Sequence, residues 1–387
     1  MYNLRRGQLV FVACRKGLKT AELIREHLVE ICRHKEPLLF EKLKTHGFLD
    51  PYESRQLEFI NNVKKLGVKI VDSEVTDFAG GEMRIDINES IRGMDAYIIQ
   101  NEFTPEDPYV MTSQNIIELF LTIDGVKRSH PANISVVLPF FLYARQERRQ
   151  GRQPISAKLM IDILDNIGVG ELITMDLHSD AIEGFTSANS LKIQHLFASQ
   201  VFIDYFVRQG FKGVWLAPDA GAGKRVGHYS KVTGLSFALG YKFKDPRSKH
   251  EAEEQKLLGD VNGMDVCIVD DMICAGGSSV NMAKLAKENG AKNVFMAATH
   301  GMFVGNAEEK FQKAISEGFL SEVVVANTLI HSKEFLERNP FIKVLDVLDM
   351  FANAIYENNV EGSISSLYDS KLRESMFGKK HKTLEHF

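Results

Sequence analysis

The amino-acid sequence predicts an α/β protein with two domains, each a mostly parallel sheet flanked by helices. Short apolar runs alternate with amphipathic helical stretches along almost the whole chain, which is the pattern of parallel sheets. Polar clusters follow five of these runs, and ligands in open α/β sheets bind beyond the carboxyl ends of strands. The clusters therefore predict one or more binding clefts, and a length of 387 residues is sufficient for two domains.

The five apolar runs are predicted strands that end in polar residues. Each run is short and bulky, as expected for strands buried on both faces of a parallel sheet. In chain order they are 97–99, 134–138, 173–175, 214–217 and 294–297, and the polar clusters after them begin at Gln100, Tyr143, Asp176, Pro218 and Thr299.

The predicted domain boundary lies near residue 193. It divides the chain into an N-terminal domain, 1–193, and a C-terminal domain, 194–387, which ends in a polar tail. No linker rich in proline, glycine or serine marks the boundary, and the two halves show no convincing sequence repeat. Residues 33–67 are charged and interrupt the early alternation of strands and helices, so we expect them to be an insertion that carries its own helix.

The composition argues against several classes of partner. A formal net charge of −4, without a block of basic residues, gives no electrostatic footprint for nucleic acid. No apolar run approaches the roughly 18 residues that span a membrane. The four cysteines form no CxxC pair, which favours a reducing compartment. We expect a cytoplasmic protein without disulfides, with neither nucleic acid nor a membrane as a partner.

The most informative segment runs from Asp265 to Ser279. Val266–Val269 is a typical buried strand, and Val280–Asn289 has the pattern of a helix. Between them, two glycines allow the backbone to approach a ligand, and free N–H groups at the positive end of the helix can hold an anion such as a phosphate. Asp270 and Asp271 are suited to accept hydrogen bonds from vicinal ribose hydroxyls.

The same segment has a simpler interpretation, because Gly-Gly-Ser turns are common in ordinary strand–turn–helix connections. Two nucleotide-binding motifs can also be tested. Gly221–Arg225 lacks the four-residue spacer and the Ser or Thr after Lys224 that a P-loop requires. Gly227 lies one place too far along the chain for a GxGxxG motif. The segment around Lys224 is therefore neither a Walker nor a Rossmann site.

Several clusters together resemble one enzyme family. They are Glu89-Ser-Ile-Arg-Gly93, Tyr143-Ala-Arg-Gln-Glu147, Pro154-Ile-Ser-Ala-Lys158, Asp176-Leu-His-Ser179, Ile182-Glu-Gly-Phe185, Pro218-Asp-Ala-Gly221, Val269-Asp-Asp-Met272, Thr299-His-Gly301 and Ser363-Ile-Ser365. By these landmarks the chain, from roughly Met83 to Tyr368 and in its first strand and helix, resembles the ribose-phosphate pyrophosphokinases, also called phosphoribosyl pyrophosphate synthetases.

The resemblance implies two domains of the type I phosphoribosyltransferase fold and a defined reaction. The anomeric hydroxyl of ribose 5-phosphate would attack the β-phosphorus of ATP, giving phosphoribosyl pyrophosphate and AMP. The family commonly forms hexamers and builds its ATP pocket across a subunit interface, so a homo-oligomer is expected. Mg²⁺ is the implied cofactor, and it would neutralise and orient the triphosphate.

The resemblance also assigns roles to residues of this chain. Phe78 and Glu82 match an adenine pocket that a neighbouring subunit contributes, and Arg145 and Gln146 match ATP contacts. His178 and Asp219 match metal ligands, and Lys242 and Lys244 match the two cations of a catalytic flexible loop. The residues that match the ribose 5-phosphate site are Asp270, Asp271, Cys274, Ala275, Gly276, Gly277 and Ser278.

The main departures from the pattern usual in the family are at Gly80, Lys244, Cys274 and Ala275. They keep a second hypothesis open, a non-catalytic homologue that assembles with or regulates an active synthetase. A phosphoribosyltransferase is a third, because it shares the Asp-Asp cradle. That hypothesis predicts no ATP requirement and leaves Arg145, Gln146 and the first domain without a purpose.

Overall fold

Strands and helices alternate through the part of the chain that the computed structural model describes, which comprises residues 7–101, 103, 111–149, 151–187, 190–243 and 254–364. The strands are β1 (Leu9–Ala13), β2 (Lys69–Asp77), β3 (Met83–Ile87), β4 (Asp95–Ile99), β5 (Asn133–Leu138), β6 (Glu171–Met175), β7 (Lys192–Leu196), β8 (Val214–Ala217), β9 (Phe237–Phe243), β10 (Glu254–Leu258), β11 (Val266–Ile273), β12 (Val294–Gly301), β13 (Glu322–Ala326) and β14 (Ile342–Leu345).

The helices connect these strands. They are α1 (Leu18–His46), α2 (Pro51–Leu66), α3 (Met111–Arg128), α4 (Ser156–Ile167), α5 (Ser199–Arg208), α6 (Gly223–Thr233), α7 (Gly277–Glu288), α8 (Ala307–Ser316), α9 (Lys333–Arg338) and α10 (Leu348–Asn359), with a short 3₁₀ helix at Asp180–Phe185. No helix in the described ranges combines the length and the apolarity needed to cross a membrane.

The described chain divides into two compact units. Unit 1 holds the residues up to Leu196 together with the stretch that begins at Leu348, and unit 2 is Phe197–Val347. The sequence had placed everything after residue 193 in one C-terminal domain, whereas α10 packs in unit 1. The reason is specific: Glu357 of α10 is 2% exposed and accepts hydrogen bonds from Tyr52 (2.6 Å) and Lys35 (3.1 Å).

Each unit contains a seven-stranded sheet. The strand order is β3-β2-β1-β4-β5-β6-β7 in unit 1 and β10-β9-β8-β11-β12-β13-β14 in unit 2. Numbered within each unit, both sheets follow the order 3-2-1-4-5-6-7. In both, the first pair in that order is antiparallel and the others are parallel. The predicted fold class is confirmed, and the topology contains a repeat that the amino-acid sequence does not reveal.

The central strands are buried along their whole length, as their uninterrupted apolar runs predict. Every residue of β1, β4 and β8 is buried. The core of unit 2 also contains an aromatic cluster, in which Phe206 and Tyr229 lie edge-on to Trp215 at ring-centroid distances of 5.7 and 5.1 Å. Such rigid parallel strands fix the positions of the loops at their carboxyl ends.

The connection between the first and second strands differs between the two units. In unit 2 it contains α6, of 11 residues, whereas in unit 1 it contains α1, of 29 residues, and α2, of 16. Residues 33–67 comprise the C-terminal part of α1 and all of α2. Asp50 caps α2 through a reciprocal pair of hydrogen bonds with Glu53, which explains where this helix begins.

Candidate active site

The predicted phosphate cradle is the connection between β11 and α7. Gly276 is the N-cap of α7 and has a φ of +72°, a conformation that favours glycine. A Cβ at this position would lie 2.7 Å from Cε2 of Phe311, so space as well as backbone conformation selects glycine. The first amides of α7 have no helical partners and are available to an anion at the positive end of the helix.

Asp270 and Asp271 lie in the C-terminal half of β11, shortly before this connection, and each accepts a hydrogen bond from the next backbone N–H. The Asp271 N–H donates to Oδ1 of Asp270, and the Met272 N–H donates to Oδ1 of Asp271, both at 2.9 Å. Asp271 is 3% exposed, whereas the side chain of Asp270 is 28% exposed. Asp270 is therefore the more accessible carboxylate of the pair.

The environment of Asp270 raises its pKa. Burial is the largest cause, and the neighbouring Asp271 carboxylate adds to it because two like charges are close together. The Arg225 guanidinium opposes the shift, with Nη1 4.0 Å from Oδ1 of Asp270. In the sequence Arg225 serves only to exclude a P-loop, because no linear pattern shows that α6 brings it to β11.

Asp219 lies at the same edge of the unit 2 sheet, because β8 pairs in parallel with β11. Its Oδ1 accepts a hydrogen bond from the Ala222 N–H at 3.1 Å, which fixes the turn into α6. The side chain is exposed, and its Oδ2 makes no hydrogen bond with any residue in the described ranges. One hard oxygen ligand is thus presented beside the cradle.

In unit 1, Arg145 and Gln146 lie in the connection between β5 and α4. Gln146 is tied to the start of α4, because its carbonyl accepts from the Ala157 N–H (3.3 Å) and its side-chain oxygen accepts from the Ser156 hydroxyl (2.5 Å). Arg145 is exposed and makes no hydrogen bond or ion pair with a described residue. Tyr143, at a φ of +63°, forms the turn that presents both. The guanidinium is accessible to a polyphosphate, whereas Gln146 also has a structural role.

His178 follows the neighbouring strand, β6, and is exposed. The turn before it is fixed by two residues to which the sequence motifs assign no role, His195 and Glu183. The Leu177 N–H donates to Nε2 of His195 at 2.9 Å, and Nδ1 of His195 donates to the Glu183 carboxylate at 2.5 Å. Because Nε2 accepts, neutral His195 carries its proton on Nδ1. Asp176, at a φ of +40°, completes the turn.

In the described ranges, Asp180, Glu183 and His195 form the one group of three potential metal ligands whose donor atoms lie within 4.8 Å of one another. Both ring nitrogens of His195 are already used in hydrogen bonds, however. A metal on either nitrogen would displace the Leu177 or the Glu183 contact. The donor set therefore supports the turn before His178 rather than an ion.

Phe78 and Glu82 lie in the turn between β2 and β3, where the Phe78 N–H donates to the Glu82 carbonyl at 2.8 Å. Both side chains are exposed. Two strands, β1 and β4, separate β2 from β5, which corresponds to about 14 Å across the sheet. Within one chain, the structure does not bring this turn together with Arg145 and Gln146.

The remaining predicted residues divide between the two units. Asp270, Asp271, Cys274, Ala275, Gly276, Gly277 and Ser278 lie on one strand–loop–helix connection, beside Asp219, in unit 2. His178 belongs to unit 1, so its pairing with Asp219 stays a prediction. Lys242 is part of β9 without a described side chain, and Lys244 lies outside the described residues.

Comparison with known proteins identifies the family. Residues 54–168 match the N-terminal domain of ribose phosphate pyrophosphokinase, and residues 243–369 match a phosphoribosyl synthetase-associated domain. A ribose-phosphate pyrophosphokinase of Wolinella succinogenes is 37% identical over 307 residues, which are 79% of this chain and 93% of the relative. The chain belongs to the ribose-phosphate pyrophosphokinase family.

Two further relatives support this assignment. The ribose-phosphate pyrophosphokinase of Campylobacter jejuni is 35% identical over 318 residues, which are 81% of this chain and 97% of the relative. A crystal structure of phosphoribosylpyrophosphate synthetase from Mycobacterium smegmatis superposes with a TM-score of 0.72 at 27% identity, and covers 92% of this chain and 100% of that one. The family that the sequence landmarks predicted is confirmed.

Proposed function

We propose that the protein is a ribose-phosphate pyrophosphokinase that transfers the β,γ-diphosphoryl group of ATP to the C1 hydroxyl of ribose 5-phosphate. The C1 oxygen forms a bond to the β-phosphorus, and the bond from that phosphorus to the α,β-bridging oxygen breaks. The products are phosphoribosyl pyrophosphate and AMP. The observation that carries the proposal is the acidic pair directly before a glycine-capped helix, Asp270 to Gly276, in a chain of this family.

Unit 2 supplies the groups that bind the sugar phosphate. The amides of Gly277 and Ser278 bind the 5-phosphate at the N-terminus of α7, where the helix dipole adds about 0.3–1 kcal/mol. The carboxylates of Asp270 and Asp271 accept hydrogen bonds from the 2- and 3-hydroxyls, worth roughly 1.5–3 kcal/mol each because the acceptor is charged. The hydroxyl pair and the phosphate together fix the direction of C1.

Unit 1 supplies contacts to ATP, with Arg145 as the phosphate-binding cation. The donor set fits Mg²⁺ as cofactor. Asp219 offers a hard oxygen, and His178 offers an imidazole, which is an uncommon ligand for this ion. Water and phosphate oxygens would supply most of the other ligands. Bound Mg²⁺ supplies charge neutralisation of the triphosphate. In this proposal Lys242 and Lys244 add positive charge where the diphosphoryl group is transferred.

The proposal includes a homo-oligomer, a hexamer by family resemblance. Its support is the distance of about 14 Å across the sheet between the turn that carries Phe78 and Glu82 and the strand that precedes Arg145. A turn so far from Arg145 is well placed to serve a neighbouring subunit. A cytoplasmic location is part of the same proposal, favoured by four cysteines that form no disulfide.

The experiment is an assay of AMP and phosphoribosyl pyrophosphate formation, with each substrate omitted in turn and with Mg²⁺ removed by chelation and restored. The double variant D270N/D271N is expected to reduce kcat/KM roughly 10²- to 10⁴-fold, because two charge-assisted hydrogen bonds are lost. His178→Ala is expected to weaken activation by Mg²⁺.

Asp265→Asn provides the matched control. Asp265 immediately precedes the N-terminal end of β11, whereas Asp270 and Asp271 lie towards its C-terminal end. The Asp265 carboxylate accepts a hydrogen bond from the Asn293 side-chain amide at 2.8 Å. The variant should retain nearly full activity. Product formation by the wild-type protein no higher than by D270N/D271N would contradict the proposed reaction.

A second candidate function is a non-catalytic homologue that assembles with or regulates an active synthetase. Cys274 and Ala275 favour it, because they supply neither the carboxylate nor the hydroxyl that the family usually has in the cradle. An inactive chain that changes the activity of a co-expressed synthetase would select this function over the first.

A further inference from the structure

Helix α8 forms the support beneath the cradle. Phe311 contacts Gly276 so closely that a Cβ at that glycine would lie 2.7 Å from its ring. The preceding residue, Lys310, donates a hydrogen bond from Nζ to the Ala275 carbonyl at 2.9 Å. Two consecutive side chains of α8 thus contact the loop between β11 and α7, one through packing and one through a charge.

The Lys310 ammonium also lies close to the N-terminus of α7. Its Nζ is 4.0 Å from the position that a Cβ on Gly277, the first residue of α7, would occupy. An ammonium has three donors, and one of them is used by the Ala275 carbonyl. The other two are available in the region where the unbonded amides of α7 would hold an anion.

The cradle of this chain lacks polar side chains at the two positions before Gly276. Cys274 is partly buried and Ala275 is exposed, and neither side chain is a strong hydrogen-bond donor to phosphate. Arg225 is directed at Asp270 instead, with Nη1 4.0 Å from the carboxylate. The Lys310 ammonium, by contrast, contacts the loop backbone directly.

We propose that Lys310 is a further substrate-binding residue, whose ammonium contacts the 5-phosphate of ribose 5-phosphate while it anchors the loop at the Ala275 carbonyl. The inference rests on the proposed function, because it concerns the same substrate. A lysine is a point charge on a flexible stem, so it can keep the loop contact and follow the phosphate as the ligand enters. The contact offsets the missing side chains at Cys274 and Ala275.

The test compares Lys310→Met, Lys310→Arg and Lys313→Met. Lys310→Met keeps a similar stem without the charge and is expected to raise the KM for ribose 5-phosphate about tenfold or more, the effect of one charge-assisted hydrogen bond. The KM for ATP should change less than twofold. Lys310→Arg restores the cation and should return the KM for ribose 5-phosphate to within about threefold of wild type.

Lys313→Met is the matched control, because Lys313 is one turn along α8, has a 70% exposed side chain and pairs with Glu317. It should behave as the wild-type protein does. A KM for ribose 5-phosphate in Lys310→Met equal to that of the control would overturn the proposal. So would failure of Lys310→Arg to restore the KM in a protein whose circular dichroism melting curve is unchanged.

Isothermal titration with ribose 5-phosphate separates this inference from the proposed function. If the wild-type protein binds ribose 5-phosphate but forms no product, the reaction is wrong, and a weaker affinity of Lys310→Met still supports the phosphate contact. If the protein is active and the two affinities are equal, the reaction stands and the role of Lys310 is refuted.

Discussion

The two units have the same strand order, yet their polar residues follow different strands. In unit 2 the fourth strand, β11, carries Asp270 and Asp271 in its C-terminal half, and the loop of residues 274–276 connects it to α7. In unit 1 the fourth strand, β4, ends before Gln100, whose side-chain amide donates to the Asn115 carbonyl at 3.2 Å. In unit 1, Arg145 and Gln146 follow the fifth strand and His178 follows the sixth, whereas the turn with Phe78 and Glu82 follows the second. A repeated topology therefore did not conserve the position of the site.

The turns at the candidate site residues are also formed differently in the two units, although unit 2 likewise has a non-glycine residue of positive φ after a strand, Phe303 (+47°) after β12. Unit 2 uses Gly276 at the start of α7, so the left-handed conformation carries no side-chain penalty. Unit 1 uses Tyr143 and Asp176, with φ values of +63° and +40°, and such residues require support from their surroundings. His195 and Glu183 provide that support next to Asp176. The conformation of the cradle therefore depends on a glycine at position 276, whereas the conformation of the turn before His178 depends on the hydrogen bonds made by two partners, His195 and Glu183.

The largest effect is expected from Gly276→Ala, measured against Gly263→Ala. Both glycines have φ values near +70°, which costs an alanine roughly 1–2 kcal/mol. Only the Cβ at Gly276 meets a neighbour, at 2.7 Å, which adds roughly 1–3 kcal/mol of overpacking. Denaturant unfolding should show the difference in stability, and the KM for ribose 5-phosphate should rise in Gly276→Ala alone. Equal effects of the two substitutions would show that backbone conformation, not the space above Phe311, selects this glycine.

An intermediate effect is expected from His195→Phe in unit 1. The substitution removes the acceptor for the buried Leu177 N–H, so the free energy of unfolding should fall by about 1–3 kcal/mol. The displaced turn should lower kcat roughly tenfold and raise the Mg²⁺ concentration for half-maximal activity, with the KM for ribose 5-phosphate unchanged. Glu183→Gln keeps an acceptor for Nδ1 and should have the smaller effect. Wild-type kinetics of His195→Phe would remove the turn from the proposed mechanism.

The smallest effect is a pH dependence confined to unit 2. Burial and the Asp271 charge raise the pKa of Asp270 to about 8. Because the hydroxyl pair is bound by the ionised carboxylate, affinity for ribose 5-phosphate should rise severalfold from pH 7 to 9, with release of a proton. Titration calorimetry in buffers of different ionisation enthalpy measures both the affinity and the number of protons released. The range from pH 7 to 9 lies above the second ionisation of the phosphate, at about pH 6.

The same shift has a defined sign for stability. A carboxyl whose pKa is higher in the folded than in the unfolded state contributes stability below about pH 4, and this contribution is lost as the pH rises towards 8. Asp270→Asn should remove this dependence and make the affinity independent of pH between 7 and 9. If Asp270→Asn leaves the pH dependence of ribose 5-phosphate affinity unchanged, the group that ionises between pH 7 and 9 is not Asp270.

The sequence predicted the α/β class and the residues of the cradle, because both depend on local patterns. Uninterrupted apolar runs identified buried strands, and Asp270 to Ser278 are contiguous, so the fold of one strand–loop–helix connection brings them together. The family and its reaction came from the landmarks rather than from the physics of any single residue. Those roles, including Lys242 and Lys244, remain predictions for experiments.

What the sequence did not reveal depends on pairing between distant segments. His195 supports Leu177 because β7 lies beside β6, a register that no spacing rule gives. Arg225 and Lys310 reach the cradle from two other helices. Residues Leu348–Asn358 are all buried, so this part of α10 has no solvent-exposed face that would show which unit it packs in. The common strand order is a property of hydrogen bonding and leaves no repeated residues to detect.

The return of α10 to unit 1 has a consequence for the order in which the protein is completed during synthesis. Unit 2 is one continuous stretch, Phe197–Val347, so it can finish folding as soon as that stretch has left the ribosome. Unit 1 must wait longer, since Tyr52 and Lys35 receive their partner Glu357 only when α10 has been translated. A chain terminated before Leu348 would thus contain all of Phe197–Val347 but a unit 1 that lacks α10.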